Sequence, residues 1–180
     1  MSRTDTIDPE YFKKEYRDAT NLNARIRLHQ RFSLNLYGWV RWVFDQLDLP
    51  PQCHILELGC GPGSLWLENL DRIPVGWEIL LTDFSTGMLG QALQNLRGKR
   101  TFQYQIVDAQ HTPLPFDDGA YDAVIANHML YYIADKPALL AEICRVLKPG
   151  GQFYATTVGE RHLCELVDLI IRFEPTQEQY

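Results

Sequence analysis

An apolar run reaches Glu57 and three glycines follow it, Gly59, Gly61 and Gly63, so that residues 55–63 read ILELGCGPG. A strand that stops in a glycine-rich turn and opens into a helix constrains a fold strongly. Glycine has no Cβ, so the backbone turns tightly there and a ligand approaches it closely. The free N–H groups at the start of the following helix face the same space. Such a junction is a place to hold a nucleotide-like ligand.

The rest of the chain supplies a frame for that junction. Strand-like runs lie at His54–Leu58, Glu78–Thr82, Phe102–Val107, Tyr121–Ala126 and Gln152–Thr156, and helix-like runs at Ser64–Asp71, Thr86–Leu96, Lys136–Leu147 and Glu160–Phe173. Alternating strands and helices predict an α/β fold with a mostly parallel sheet covered on both faces. Its crossovers are right-handed, and ligands sit at the carboxyl ends of the strands. KPGG at 148–151 reads as a helix stop and turn, not a phosphate loop.

The first fifty residues look helical. Asp8-Pro9 suits a cap and first turn, Asn21 suits a second cap with Leu22, Ile26 and His29 on one face, and Tyr37–Leu47 carries Trp39, Val43, Phe44 and Leu47 at helical spacing before Pro50-Pro51. The expected organisation is one domain, with residues 1–50 as a helical cap and 51–180 as the core.

Composition excludes several classes. The 180 residues carry a net charge of −6, so no global field attracts nucleic acid. The polar start and the lack of an 18-residue apolar run predict a cytoplasmic protein without a membrane partner. Cys53, Cys60, Cys144 and Cys164 match no zinc or redox spacing, so no metal is expected and the thiols are read as reduced. Charge is uneven: residues 19–44 hold Arg25, Arg27, Arg31 and Arg41 and no acid, whereas residues 51–180 hold 16 acids and 9 bases.

Asp83, in LLTDFS, lies 22 residues after Gly61, where an acid meets ribose hydroxyls. That suits NAD and S-adenosylmethionine equally. The glycine spacing separates them. A dinucleotide turn wants G-x-G-x-x-G/A, but its last position here is Ser64, and Pro62 removes an N–H that a pyrophosphate would use.

ILELGCGPG, TDFSTGML at 82–89, IVDAQHTPLPFDDGAYDAVIANHMLYYI at 106–133 and EICRVLKPGGQFY at 142–154 together resemble the class I S-adenosylmethionine-dependent methyltransferases, in the small-molecule form often called type 11. The resemblance covers residues 52–158. It implies a Rossmann-like three-layer sandwich. It places Glu57, Gly59 and Gly61 around the methionine part of the cofactor, with Cys60 at a variable position between them. Asp83 is matched to the ribose hydroxyls and Phe84 to the adenine face. Asp108 is matched to the adenine amino group, Ala109 N–H to a ring nitrogen, and Asn127 to the backbone beside the methionine moiety.

Chemistry agrees, because an amino group donates to a carboxylate and two vicinal hydroxyls suit one carboxylate. Glu57 reads equally well as a brace for the loop.

The implied reaction is methyl transfer to a small-molecule acceptor. A cofactor-binding protein without catalysis, a protein or nucleic-acid methyltransferase, and an NAD-dependent oxidoreductase are the other readings. Asn127-His128-Met129-Leu130 departs from the N/D-P-P-Y/F found where base nitrogens are methylated. His128, facing the transfer space, is the candidate general base and His111 the second, although a lone histidine more often packs than catalyses. Tyr131 and Tyr132 read as core or pocket wall. Among the helices before the first motif, Arg25 and Arg31 are candidates to hold a carboxylate of cofactor or acceptor, because a guanidinium fork matches two oxygens, and Tyr37 is a third candidate.

In the family two further strands end the sheet. Only 23 residues follow Thr157 here, and a helix uses most of them, so strands 6 and 7 are expected to be missing. The strand at 152–156 then keeps an open edge. Truncation is the first expectation for this, a homodimer covering the edge the second, and N-terminal helices folded over it the third.

Overall fold

The computed structural model describes residues 14–159 and 164–173. Five strands, β1 (Gln52–Leu58), β2 (Gly76–Asp83), β3 (Gln103–Ile106), β4 (Tyr121–Asn127) and β5 (Leu147–Thr156), form one sheet in the order β3-β2-β1-β4-β5, and every neighbouring pair is parallel. The helices are α1 (Thr20–Phe32), α2 (Trp39–Asp45), α3 (Ser64–Leu67), α4 (Thr86–Leu96), α5 (Lys136–Val146) and α6 (Cys164–Phe173).

β1 is the centre of the sheet, and its side chains alternate between two cores. Ile55 packs with Phe44, Trp66, Trp77 and Leu96, on the face covered by α2, α3 and α4. Leu56 and Leu58 pack with Leu139, Ile143 and Val146 of α5 on the other face. Burial on both faces explains why the strand reads as an almost unbroken apolar run. Each large apolar side chain taken from water in this way contributes about 1.5–3 kcal/mol.

Local chemistry sets the helix starts. Ser85 Oγ accepts from Met88 N at the head of α4, and Asp135 Oδ1 accepts from Ala138 N at the head of α5. Arg145, in the last turn of α5, holds the preceding loop, donating to the Leu114 and Phe116 carbonyls while pairing with Glu142 and Asp118.

Several boundaries differ from expectation. The helix expected over Ser64–Asp71 stops at Leu67. Fully buried Asn69 turns the chain, its Nδ2 donating to Leu65 O and its Oδ1 accepting from Arg72 Nη1. α1 starts at Thr20 instead of after Asn21: Asp18 Oδ1 accepts from Thr20 N, and the Asn21 side chain donates to Glu15. α2 spans Trp39–Asp45 only, entered through Gly38 at φ +84°.

KPGG is not a turn ahead of the strand; it lies inside β5. Leu147 pairs with Tyr121 and Gln152 with Ala123, so the residues between bulge from the ladder. Gly151 fits there because a Cβ would lie 2.9 Å from Lys148 O. Among the described residues β5 keeps one unpaired edge. Asp8-Pro9, residues 160–163 at the head of the helix expected over Glu160–Phe173, and the tail after Phe173 fall outside the described residues.

Candidate functional site

The carboxyl ends of β1, β2, β3 and β4 converge around the glycine turn. Gly59, Gly61 and Gly63 all take left-handed conformations, at φ +68°, +54° and +75°, which L side chains adopt only at a cost. The turn is tied to β2 twice. Cys60 N donates to Thr82 O at 2.9 Å, and Gly61 N donates to Asp83 Oδ2 at 2.9 Å.

Asp83 is 5% exposed, and its second oxygen accepts from Ser85 N. Burial raises its carboxyl above the usual range, against the lowering effect of the Ser85, Gly61 and Phe84 backbone N–H groups. Phe84 beside it is half-buried. On the next strand end Val107 N donates to Asp83 O, which brings Asp108 alongside. Asp108 Oδ1 accepts from Gln110 N, Oδ2 lies 3.1 Å from His111 Nδ1, and Ala109 is buried. Two carboxylates and a glycine turn thus share one rim.

Glu57 lies beneath that rim, 2% exposed. Its Oε2 accepts from Trp66 Nε1 at 2.6 Å, and the Asn127 amide bonds to the carboxylate. Burial pushes Glu57 up to about 7, those two hydrogen bonds oppose the shift, and Asp83 adds to it. Asn127 Oδ1 in turn accepts from Thr156 Oγ1, while Thr156 O and Oγ1 receive His128 N. The ends of β1, β4 and β5 are therefore joined through side chains below the turn. The Cys60 thiol is buried nearby, and burial raises it well above its ordinary value.

His128 follows β4 at φ +51°, unusual for a residue with a side chain. Its ring lies 4.7 Å from that of Trp39. His111, the second candidate base, is exposed at the outer side of Asp108.

The segment before α1 crosses this rim. Arg17 O accepts from Ser85 Oγ, and a Cβ on Gly87 would sit 2.3 Å from that carbonyl. Leu22 Cδ2 stands 3.4 Å from where a Gly61 Cβ would lie. At the far side the hydroxyls of Tyr16 and Tyr132 share a hydrogen bond, and Arg25 Nη1 donates to Tyr16. Burial, followed by the Tyr16 contact, raises the Tyr132 phenol.

Arg25 also pairs with Glu15. Arg31 lies over its neighbour Phe32, and Tyr37 donates to Asp45. The structure thus brings the ten strand-end candidates together and ties Arg25 to their rim, while Arg31 and Tyr37 engage their own segment. Sequence reasoning missed Trp66, Arg17 and Gln110, whose amide joins the Asp108 loop to Tyr132 O and Ala134 N. A tryptophan in an apolar helix was the one usable signal, since a buried indole N–H seeks an acceptor.

Residues 56–155, more than half of the chain, match the model of the family described as methyltransferase domain. The chain belongs to the class I S-adenosylmethionine-dependent methyltransferases.

Among curated methyltransferases of this kind, demethylmenaquinone methyltransferase of Lactiplantibacillus plantarum is 31% identical over 156 residues, covering 82% of this chain and 57% of the relative. The protein of the same name from Shouchella clausii is 27% identical over 143 residues, covering 79% and 59%. The chain spans about half the length of the curated relatives it matches. In fold it is similar to phosphoethanolamine N-methyltransferase 2 of Haemonchus contortus, solved with S-adenosylmethionine, at a TM-score of 0.66 and 21% identity over 88% of this chain and 39% of that one.

Proposed function

We propose that this methyltransferase-family chain binds S-adenosylmethionine at the carboxyl ends of β1 to β4 and transfers its methyl group to a small-molecule acceptor. The observation that carries this reading is the shared rim of Asp83, Asp108 and the three left-handed glycines. When bound, S-adenosylmethionine supplies a methyl group already activated by its sulfonium.

The chain's own task is alignment and exclusion of water. In this reading Asp83 accepts from the ribose hydroxyls, in exchange for part of its backbone bonding. Phe84 lies against the adenine, Asp108 accepts from its amino group, and Ala109 N–H meets a ring nitrogen. Gly59, Cys60 and Gly61 present backbone to the methionine part, as does Asn127. Glu57 acts from beneath as the brace of the turn, given its burial and its bonds to Trp66 and Asn127.

His128 is the general base for an acceptor with an acidic proton; an amine would need only its neutral form. Residues 14–49 serve as the cap of the same domain, and Arg25 is the cation within it best placed for a carboxylate, in competition with Glu15. Arg31 and Tyr37 belong to the same cap and are the alternatives. Among the described residues no helix is long and apolar enough to cross a membrane, and the four cysteines are unbridged; we place the protein in the cytoplasm.

Calorimetry with S-adenosylmethionine and with NAD tests the cofactor. Binding of the first alone is expected, weakened about tenfold or more by Asp108→Asn, the loss of one charge-assisted hydrogen bond. Unchanged affinity in that variant and in Asp83→Asn would remove this site from consideration. Transfer of a labelled methyl group into a metabolite extract then reads the activity.

A further inference from the structure

We propose that the exposed stretch 27–42 is a docking surface for an anionic lipid bilayer.

The stretch is unlike the rest of the molecule in two ways. α1 has no buried residue along its thirteen, so tertiary packing gives it little of the support a helix normally needs. Leu28 and Phe32, one turn apart on α1 and so on the same face, are 60% and 65% exposed. The link to α2 carries Leu34 and Leu36 at 97% and 98% exposure. Side chains that touch so little of their own protein project singly and need no matching pocket. A bilayer interface accepts such groups, whereas a protein partner must be shaped to them. Trp42, half-exposed on α2, suits the headgroup level, where an aromatic amphipathic ring settles.

The second difference is charge. The net charge of −6 opposes an anionic surface as a whole, yet the stretch 27–42 contains Arg27, Arg31 and Arg41 and no acid, while Arg25 before it is paired with Glu15. Arg27 and Arg31, one turn apart, line one side of the apolar face of α1, and Arg31 lies over the Phe32 ring, 5.4 Å from its centroid. Arg41 stands beside Trp42 in sequence on α2. Apolar groups bordered by arginine on an otherwise acidic molecule present one face to anionic headgroups and turn the remainder away. This reading departs from the sequence expectation of no membrane partner. Of Trp39, Val43, Phe44 and Leu47, which stand at helical spacing, only Val43 and Phe44 are buried.

The surface borders the candidate site, because Trp39 packs against His128. An acceptor dissolved in the bilayer would reach His128 from this side. That last point rests on the methyltransferase reading; the docking itself does not.

Flotation of the full chain with phosphatidylcholine vesicles containing phosphatidylglycerol, and with phosphatidylcholine alone, tests the proposal. Association with the anionic vesicles is expected, weakened by high salt and by roughly tenfold or more in the double variant Leu34→Glu/Leu36→Glu. Fluorescence of the exposed tryptophans should shift to the blue with the anionic vesicles only. Absence of binding, equal binding of the double variant, or equal binding to both vesicle types would overturn the proposal. So would a lipid-free dimer in light scattering that the double variant dissociates, since a second copy would then own the surface. Calorimetry of the double variant with S-adenosylmethionine separates the two readings, because cofactor affinity should be unchanged in it.

Discussion

The Trp66 indole donates a 2.6 Å hydrogen bond to Glu57 Oε2 underneath the glycine turn, and both residues are almost wholly buried. The pair joins α3 to the end of β1, at the place where the chain leaves the sheet for the candidate site. Trp66 also stands edge-on to Phe44 and Trp77. One side chain therefore supplies both core volume and a polar brace.

Trp66→Phe keeps much of that volume and removes the donor. A buried acceptor left short of a partner costs about 1–3 kcal/mol, so a loss of that size is expected in denaturant unfolding. A stability equal to that of the parent protein would show that the hydrogen bond contributes nothing.

Glu57 makes stability depend on pH in a direction opposite to the usual salt-bridged carboxylate. Its folded value is raised from 4.5 to about 7, with burial the first cause. The folded protein holds this proton more tightly than the unfolded chain does. The stabilising contribution is therefore complete below the unfolded value and is lost as pH rises through the folded one, a loss of about 3 kcal/mol across that window. Glu57→Gln cannot ionise. Measured against the parent at about pH 5 and about pH 8, the variant should gain relative stability at the higher pH. A difference that does not change with pH would contradict the assignment.

Two glycines separate backbone strain from packing. Gly63 at φ +75° would set a Cβ 3.0 Å from Leu96 Cδ1 and 3.3 Å from Ala92 Cβ, whereas Gly98 at φ +70° has nothing within 4 Å. Both alanine variants meet the left-handed penalty of about 1–2 kcal/mol. Gly63→Ala should cost more than Gly98→Ala, by the price of moving α4. Equal losses in thermal unfolding would mean that α4 yields freely.

His128 holds φ +51° with a full side chain. Replacing it by Gly and by Ala removes the imidazole in both cases and differs chiefly in backbone strain. The Gly variant should be the more stable, by about 1 kcal/mol. If His128 is the base, both variants lose turnover on an acidic acceptor and keep their affinity for S-adenosylmethionine. Full turnover in either would assign the imidazole to packing against Trp39.

The strand–glycine–helix junction, the order of the elements and the acid at 83 were legible because they are local, whereas Asp108 came only with the family resemblance. Alternating burial along a strand, a turn that admits only glycine, and a serine or aspartate at a helix head all show in a few consecutive residues. The early stop of α3 was not legible, because it depends on Asn69 meeting Leu65 and Arg72 in a buried setting. The bulge at 148–151 was also missed, since it exists only against Tyr121 and Ala123 of β4.

The sequence by itself determined the α/β architecture, the family and which strand ends form one rim. Tertiary structure alone decided what stands over and under that rim. The crossing of Arg17, Tyr16 and Leu22 above it, the Glu57–Trp66–Asn127 cluster below it, and, among the described residues, the exposed apolar side chains of 27–42 all depend on which residues far apart in the chain meet. Apolar spacing says that a side chain can be buried; only the packing of the other elements says whether anything is there to bury it.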